Sequence, residues 1–289
     1  MRAEIDIVHP DNRVEYEYWF STYLDQDAWS VYDLSLYQRA LEADALFTPR
    51  ILTYSCRFCS DEIKKAQCLV DGDFCPYYKS ATSPDSLQPA VMGQGLLFES
   101  LRQKCVHLET PLAWFTYTTR FLDNCVKLND VSEECSRAQM KKLGINSENV
   151  DKCVRGSFVT SEEGQVTDNK LLREDRKWSD QLGVFMHPSI TINNITYRGD
   201  LNGYDIFKAV CAGFKDQPSV CKGDNIFSAL EKITEADSAQ PRAAQKKNRK
   251  HARKWHIILA VVVVIALNLG ALYLYRRHTK KKMDQDLRF

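Results

Sequence analysis

Apolar and polar positions along the first two thirds of the chain follow patterns that predict short strands and helices. Every second residue from Val14 to Phe20 is apolar or aromatic, which is typical of a half-buried strand. Residues 34–45 carry apolar side chains at helical spacing, and Thr48-Pro49 is expected to end that helix. Residues 50–54 then predict a short strand that leads directly into Cys56-Arg57-Phe58-Cys59.

Further along, apolar spacing predicts helices over most of residues 94–153 and again over 204–212. Residues 187–192 and 195–198 are rich in β-branched residues and are joined by Asn193-Asn194, which predicts a hairpin because Asn tolerates a positive φ. Residues 79–91 and 156–169 are expected to be loops. The pattern of residues 171–182 does not distinguish a helix from irregular structure.

The most apolar part of the chain is the run from Ile257 to Tyr275, which contains 19 residues and no charge. At about 1.5 Å per residue a helix of this length spans roughly 28 Å, close to the hydrocarbon thickness of a bilayer. It therefore predicts a transmembrane helix. Ala266 and Gly270 form a small-xxx-small pair within it, a pattern compatible with homodimerisation through this helix.

The cysteines predict the orientation of that helix, because six Lys or Arg residues lie close on each side and charge does not decide it. All ten precede the apolar run, and disulfides persist in oxidising compartments, so the region before the run is expected to be luminal. The glycosylation sequon at Asn194 favours the same orientation. The cysteines are Cys56, Cys59, Cys68, Cys75, Cys105, Cys125, Cys135, Cys153, Cys211 and Cys221.

The overall composition argues against one class of partner. The chain is 44% hydrophobic and 27% charged with a formal net charge of +1, which argues against a nucleic-acid partner.

Residues 1–30 contain no 7–15-residue apolar stretch like that of a signal peptide. We expect either that the true N-terminus lies upstream or that the run at 257–275 directs translocation.

One motif has recognisable redox chemistry. Cys56-x-x-Cys59 lies between a predicted strand and a predicted helix, and Pro188 opens the hairpin much later. Thioredoxin-type folds have this order, with a proline loop facing the cysteine pair, and the chemistry needs a thiolate and a nearby resolving thiol. The favoured interpretation is instead that Cys56 and Cys59 each bond elsewhere as structural disulfides. A zinc site formed by Cys56, Cys59, Cys68 and Cys75 is a weaker alternative, so no metal or cofactor is expected.

The other six cysteines are predicted to pair with neighbours in sequence. Each pair would close a loop of 10–20 residues and stabilise the fold by about 2–4 kcal/mol, although sequence alone does not prove the connectivity. The predicted pairs are Cys105 with Cys125, Cys135 with Cys153, and Cys211 with Cys221.

Five segments together resemble the central luminal region of plant-type vacuolar sorting receptors, and the likeness covers most of residues 14–221. They are VEYEYWFS, ALFTPRILTYSC, LRQKCVHL, ECSRAQMKKLGINSENVDKC and ITINNITYRGDLNGYDIFKAVCAGFKDQPSVC. The resemblance implies an α/β, thioredoxin-like, disulfide-rich luminal domain with a helical insertion, in a single-pass type I membrane protein. It also implies binding of soluble cargo proteins or their sorting peptides in the Golgi, endosome and vacuole pathway.

The expected domains follow from these observations. Residues 1–28 are expected to be a remnant strand and linker from an upstream protease-associated domain, and 29–233 the thioredoxin-like domain. Residues 234–256 are a polar basic linker, 257–275 the membrane helix and 276–289 a cytosolic tail. The EGF-like modules that the family carries before the membrane have no counterpart after Cys221. The alternatives to a cargo receptor are a membrane-anchored thiol-disulfide oxidoreductase using Cys56, Cys59 and Pro188, or a receptor relic.

Overall fold

The computed structural model of the chain describes residues 13–21, 26–41, 44–76, 93–128 and 130–233, with only the backbone of 26–29. The strands are β1 Val14–Phe20, β2 Ala45–Ile51, β3 Thr53–Tyr54, β4 Cys75–Pro76, β5 Phe158–Thr160, β6 Val166–Asn169, β7 Ser189–Ile192 and β8 Ile195–Thr196. The helices are α1 Gln26–Leu41, α2 Asp61–Gln67, α3 Gln94–Glu109, α4 Trp114–Asn124, α5 Glu133–Leu143, α6 Ser147–Ser157, α7 Lys170–Leu182 and α8 Gly203–Ala212. Residues 225–233 are also helical.

A four-stranded sheet in the order β2-β1-β7-β8 organises the fold. Strand β1 runs parallel to β2 and antiparallel to β7, and β7 pairs with β8 as a hairpin. The parallel β1-α1-β2 unit needs its helical crossover because parallel neighbours cannot be joined by a tight turn. Helices α2 to α7 are inserted between β2 and β7 in sequence, as the resemblance implied.

The core lies on both faces of β1. Its alternate residues Val14, Tyr16, Tyr18 and Phe20 are buried in the main hydrophobic cluster, while Trp19 is buried with Leu52 and Val184 on the other side. Burial on both faces is typical of a central strand in an α/β sheet. Residues 14–20 therefore belong to this domain, which corrects the expectation that they are a remnant of an upstream domain.

Polar side chains define where several helices begin. Ser132, Asn146, Asn169 and Asn202 each accept a hydrogen bond from a backbone N–H in the first turn of the helix that follows. Gly144 ends α5 in the left-handed conformation, with φ of 72°, where a side chain would be strained.

A buried ionic network connects the sheet to α3 and α7. The carboxylate of Asp175 accepts from Arg50 Nη1 at 3.1 Å and from the backbone N–H of Ile51 at 2.9 Å, and it also pairs with Lys104. Arg50 in turn pairs with Glu17 at 2.7 Å. Because isolated charges are costly to bury, these partners are needed to keep each other neutralised inside the fold.

Two local predictions need correction, and one ambiguous segment is resolved. Helix α1 ends at Leu41, and Thr48-Pro49 lies in β2, an edge strand, where proline is tolerated. Residues 158–169 form the β5–β6 hairpin instead of a loop. The ambiguous segment at 171–182 belongs to α7.

The predicted loop at 79–91, the linker, the apolar run at 257–275 and the tail lie outside the described residues. Within the described residues, no helix has the length and apolar character needed to cross a membrane.

Candidate functional site

An open cleft lies at the carboxyl end of β1. The register pairs Trp19 of β1 with Ser189 of β7, so the cis peptide bond between His187 and Pro188 lies next to the point where β1 ends. Residues 186–189, residues 196–202 and Ser30 of α1 line an open cleft of about 970 Å³. In open α/β sheets the carboxyl ends of the strands are the usual place for ligand binding.

The cleft has an apolar rim. Met186, at 76% exposure, lines it, and the neighbouring Phe185 is 62% exposed. Large apolar side chains that protrude beside a concave surface indicate a binding site for an apolar or mixed ligand. Arg198 and Asp200, both exposed, add one charge of each sign, so the cleft has no strong preference for anions or cations.

Tyr197 and Gly199 shape the far wall. A Cβ at Gly199 would lie only 2.1 Å from the hydroxyl oxygen of Tyr197, so only glycine allows the ring to lie against the backbone here. Burial and the nearby Asp205 and Asp200 raise the pKa of the Tyr197 hydroxyl, which keeps it neutral. This wall therefore presents a neutral aromatic ring to the cleft.

Neither Cys56 nor Cys59 lines this cleft. The strand whose end meets Pro188 is β1, and residues 21–25 that follow it contain no cysteine. Cys56 and Cys59 instead follow β2 and β3. The expectation that Pro188 faces the cysteine pair is therefore wrong, because the pair follows the neighbouring edge strand. The described residues that line the cleft therefore include no cysteine.

Cys56 and Cys59 are bonded to each other, which corrects the expectation that each pairs elsewhere. The backbone N–H of Cys56 donates to Gly72 O at 2.7 Å, and that of Cys59 donates to Cys56 O at 3.0 Å. Between them, Arg57 pairs with Asp73 and Phe58 is fully exposed. Cys68 pairs with Cys75, so all four sulfurs of the zinc alternative are in disulfides.

The remaining disulfides are Cys105–Cys153, Cys125–Cys135 and Cys211–Cys221. The last has the predicted partners, whereas the first two exchange the partners predicted from sequence order. Helix α3 packs beside α6 and α4 beside α5, so the cysteines that meet are those on adjacent helices. Proximity in sequence was the wrong criterion in this helical region.

The two asparagines of the β7–β8 turn differ in role. Asn193 Oδ1 accepts from the backbone N–H of Glu15 at 3.0 Å, and its own N–H donates to Glu15 O at 2.8 Å. Asn194, the sequon residue, has φ of 65° and an exposed side chain. Asn193 therefore ties the turn to β1 and leaves the Asn194 amide in solvent.

Sequence reasoning missed most of the cleft. Its lining comes from three separate segments, namely Ser30, residues 186–189 and residues 196–202, and the sequence motifs included Pro188 and Thr196 of the sequon. The signal that could have found it is the apolar pair Phe185-Met186 immediately before the proline loop, followed by the Gly199–Asn202 segment after the hairpin. No group of acidic, histidine or cysteine side chains suited to hold a metal ion occurs among the described residues.

The sheet order, the crossover helix and the proline-led hairpin define a disulfide-rich, thioredoxin-like α/β domain. The sequence model of the vacuolar sorting receptor thioredoxin-like domain matches residues 14–211, and the chain belongs to that family. It is 30% identical over 239 residues to Vacuolar-sorting receptor 6 of Arabidopsis thaliana, covering 75% of this chain and 36% of that protein. It is 29% identical over 245 residues to Vacuolar-sorting receptor 1 of Pisum sativum, covering 76% and 37%.

The chain thus matches little more than a third of the length of these relatives. Among solved structures, a putative protein disulfide isomerase from Nitrosomonas europaea is similar with a TM-score of 0.43 and 11% identity, covering 68% of this chain and 95% of that one.

Proposed function

We propose that the chain is a sorting receptor that binds soluble cargo proteins, or their sorting peptides, through the cleft beside Pro188. It would carry them in the Golgi, endosome and vacuole pathway toward the vacuole or lysosome. Family membership supports the class of function, and the cleft supplies a place for a ligand. The single observation that carries the proposal is that this cleft has an exposed apolar rim and that no thiol occurs among the described residues that line it.

The cleft favours binding over catalysis. Redox exchange at a proline loop requires a thiol or disulfide within reach, and none lines this surface among the described residues. A membrane-anchored oxidoreductase that combines Cys56 and Cys59 with Pro188 is therefore not supported by the geometry. We propose a non-enzymatic role for the cleft, in which Met186 and the Tyr197 ring contact apolar side chains of cargo.

We further propose a type I topology. The disulfide-bonded domain, extended to begin at about residue 13, would be luminal, residues 234–256 a linker, 257–275 the membrane helix and 276–289 the cytosolic tail. Five disulfides and the exposed sequon residue Asn194 support a luminal domain, since both suit an oxidising secretory compartment. Homodimerisation through Ala266 and Gly270 remains a proposal that co-immunoprecipitation of two tagged copies would test.

Met186→Asp is the sharpest test of the cleft, and the chain offers a matched control. Met186 is 76% exposed in the cleft, and Leu128 is 74% exposed outside it. Both substitutions add one charge at an exposed apolar position, so both should leave stability within about 0.5 kcal/mol of the native chain. Only Met186→Asp places that charge where cargo would bury it.

The assay uses the full chain in cells with a soluble vacuolar hydrolase as reporter. Met186→Asp should abolish co-precipitation of the reporter and increase its secretion into the medium, whereas Leu128→Asp should behave like the native chain. Unfolding curves of both variants control for folding. Equal reporter binding by the two variants, with both folded, would show that cargo does not use the cleft.

A further inference from the structure

Exposure distinguishes one disulfide from the other four. All ten cysteines lie in the described part of the chain and form five pairs. Each of the other four pairs has at least one buried cysteine. Both members of Cys68–Cys75 are buried, and the buried members of the other three pairs are Cys105, Cys125 and Cys211. Cys56 and Cys59 are both only partly buried. Thiol–disulfide exchange requires a thiolate to reach a sulfur, so access favours this pair.

The segment around Cys56 and Cys59 is held by contacts that do not depend on their bond. Cys56 N–H donates to Gly72 O at 2.7 Å, Arg57 pairs with Asp73, and Cys68–Cys75 closes the base of the segment. The following helix α2 has no buried residue, so the core does not rely on it. Opening the Cys56–Cys59 bond would therefore leave the two thiols close together and the fold intact.

The disulfides also differ in the length of the loop that each one closes. Cys56 and Cys59 are three residues apart in sequence, whereas Cys105 and Cys153 are 48 apart. A disulfide that closes a short loop removes little entropy from the unfolded chain. The Cys56–Cys59 bond is thus the one whose reduction costs the fold least and whose re-formation is most local.

We propose that Cys56–Cys59 is an exchangeable redox pair that reacts with dithiols on other polypeptides, separately from the cargo cleft. A thiolate of the dithiol attacks one of the two sulfurs, the Cys56–Cys59 bond breaks, and a mixed disulfide forms while the leaving sulfur takes up a proton. The second thiol of the dithiol then attacks the mixed disulfide. Two electrons and two protons pass to Cys56 and Cys59, and the partner leaves as a disulfide.

A redox titration of the full chain in detergent tests the proposal. The protein is equilibrated under native conditions with reduced and oxidised glutathione at graded ratios, alkylated, and mapped by mass spectrometry. Cys56 and Cys59 should become half reduced where Cys125–Cys135 and Cys211–Cys221 are still oxidised, since each of these two pairs spans 10 residues and has one partly exposed member. A separation of at least tenfold in equilibrium constant, or about 30 mV for two electrons, is expected. Reduction of all five pairs together, or of this pair only in denaturant, overturns the proposal.

A trapping experiment distinguishes polypeptide dithiols from small thiols. Cys59→Ser leaves Cys56 free, and it should capture a disulfide-containing test peptide as a stable mixed disulfide. Cys56→Ser/Cys59→Ser should remain folded by circular dichroism and capture nothing. Capture of glutathione but not of the peptide would contradict the polypeptide assignment, and capture of neither by the folded Cys59→Ser chain would contradict exchange altogether.

Discussion

Ser189 lies directly opposite Trp19 in the ladder between β7 and β1, and this pairing fixes what Pro188 can face. Because Pro188 immediately precedes Ser189, the proline loop meets the carboxyl end of β1. The cysteine pair that follows β2 and β3 is not part of the same cleft. This register therefore separates Pro188 from Cys56 and Cys59, which the sequence analysis had placed in one redox site.

Removing the buried carboxylate of Asp175 should destabilise the fold strongly. Asp175→Ala leaves Lys104 and part of the Arg50 guanidinium uncompensated in the interior, at an expected cost of about 3–5 kcal/mol. Urea unfolding followed by fluorescence measures this loss. The exposed pair of Lys127 and Asp123 provides the control, and Lys127→Ala should cost less than about 1 kcal/mol.

A second substitution in the buried ionic network should partly compensate for the loss of the Asp175 carboxylate. Lys104→Met in the Asp175→Ala chain removes the unpaired ammonium and should recover part of the loss, because an apolar replacement of a buried ion pair is often tolerated. No recovery in the double variant would mean that the carboxylate acts mainly as the acceptor for Arg50 and Ile51.

His107 should make the fold less stable as pH falls. Burial and the nearby Lys104 and Arg50 lower the pKa of the His107 imidazole from 6.5 to about 4, although its hydrogen bond to Phe47 O, at 2.9 Å, acts the other way. The folded state therefore binds fewer protons than the unfolded state between these two pH values. The stabilisation is complete above about pH 6.5 and is lost as pH falls toward about 4, by at most roughly 3 kcal/mol.

His107→Gln isolates this contribution. The Gln amide can still donate to Phe47 O but does not titrate, so the variant should lose less stability than the native chain between pH 7 and pH 5. Chemical unfolding of both chains at intermediate pH values measures the two slopes. Parallel slopes would show that other groups cause the acid sensitivity.

Replacing each of two helical glycines with alanine should change the stability of the fold in opposite directions. A Cβ at Gly203, the first residue of α8, would lie 2.6 Å from Asp33 O and 2.5 Å from Tyr37 Cδ2, so Gly203→Ala should cost about 1–3 kcal/mol. A Cβ at Gly156 in α6 meets nothing within 4 Å, and Gly156→Ala should gain about 0.5–1 kcal/mol through helix propensity. Melting temperatures of the two variants test the pair, and a shift in the same direction for both contradicts it.

Local pattern predicted the elements better than their partners. The β7–β8 hairpin and helix α8 follow from turn chemistry and apolar spacing, and both are confirmed. The alternation in residues 14–20 identified a strand but not its sheet, because pairing with β2 and β7 depends on residues far away in sequence. The cleft was missed for the same reason. Helix α7 buries Leu172, Asp175 and Ser179, and two of these three residues are polar. Apolar spacing alone therefore did not identify this segment as a helix.

Asn194 should carry an N-linked glycan if the domain is luminal. Its amide is exposed in the turn, whereas the neighbouring Asn193 is held by hydrogen bonds to Glu15 and by a contact with Gly213 O at 3.4 Å. Glycosidase treatment of the full chain from cells should increase its gel mobility, and Asn194→Gln should already have that mobility. Asn194→Gln should also cost up to about 1 kcal/mol relative to the deglycosylated native chain, because Asn194 has φ of 65° and Gln tolerates this conformation less well than Asn. An unshifted native chain, together with protease protection of the 276–289 tail in intact vesicles, would instead place the domain in the cytosol.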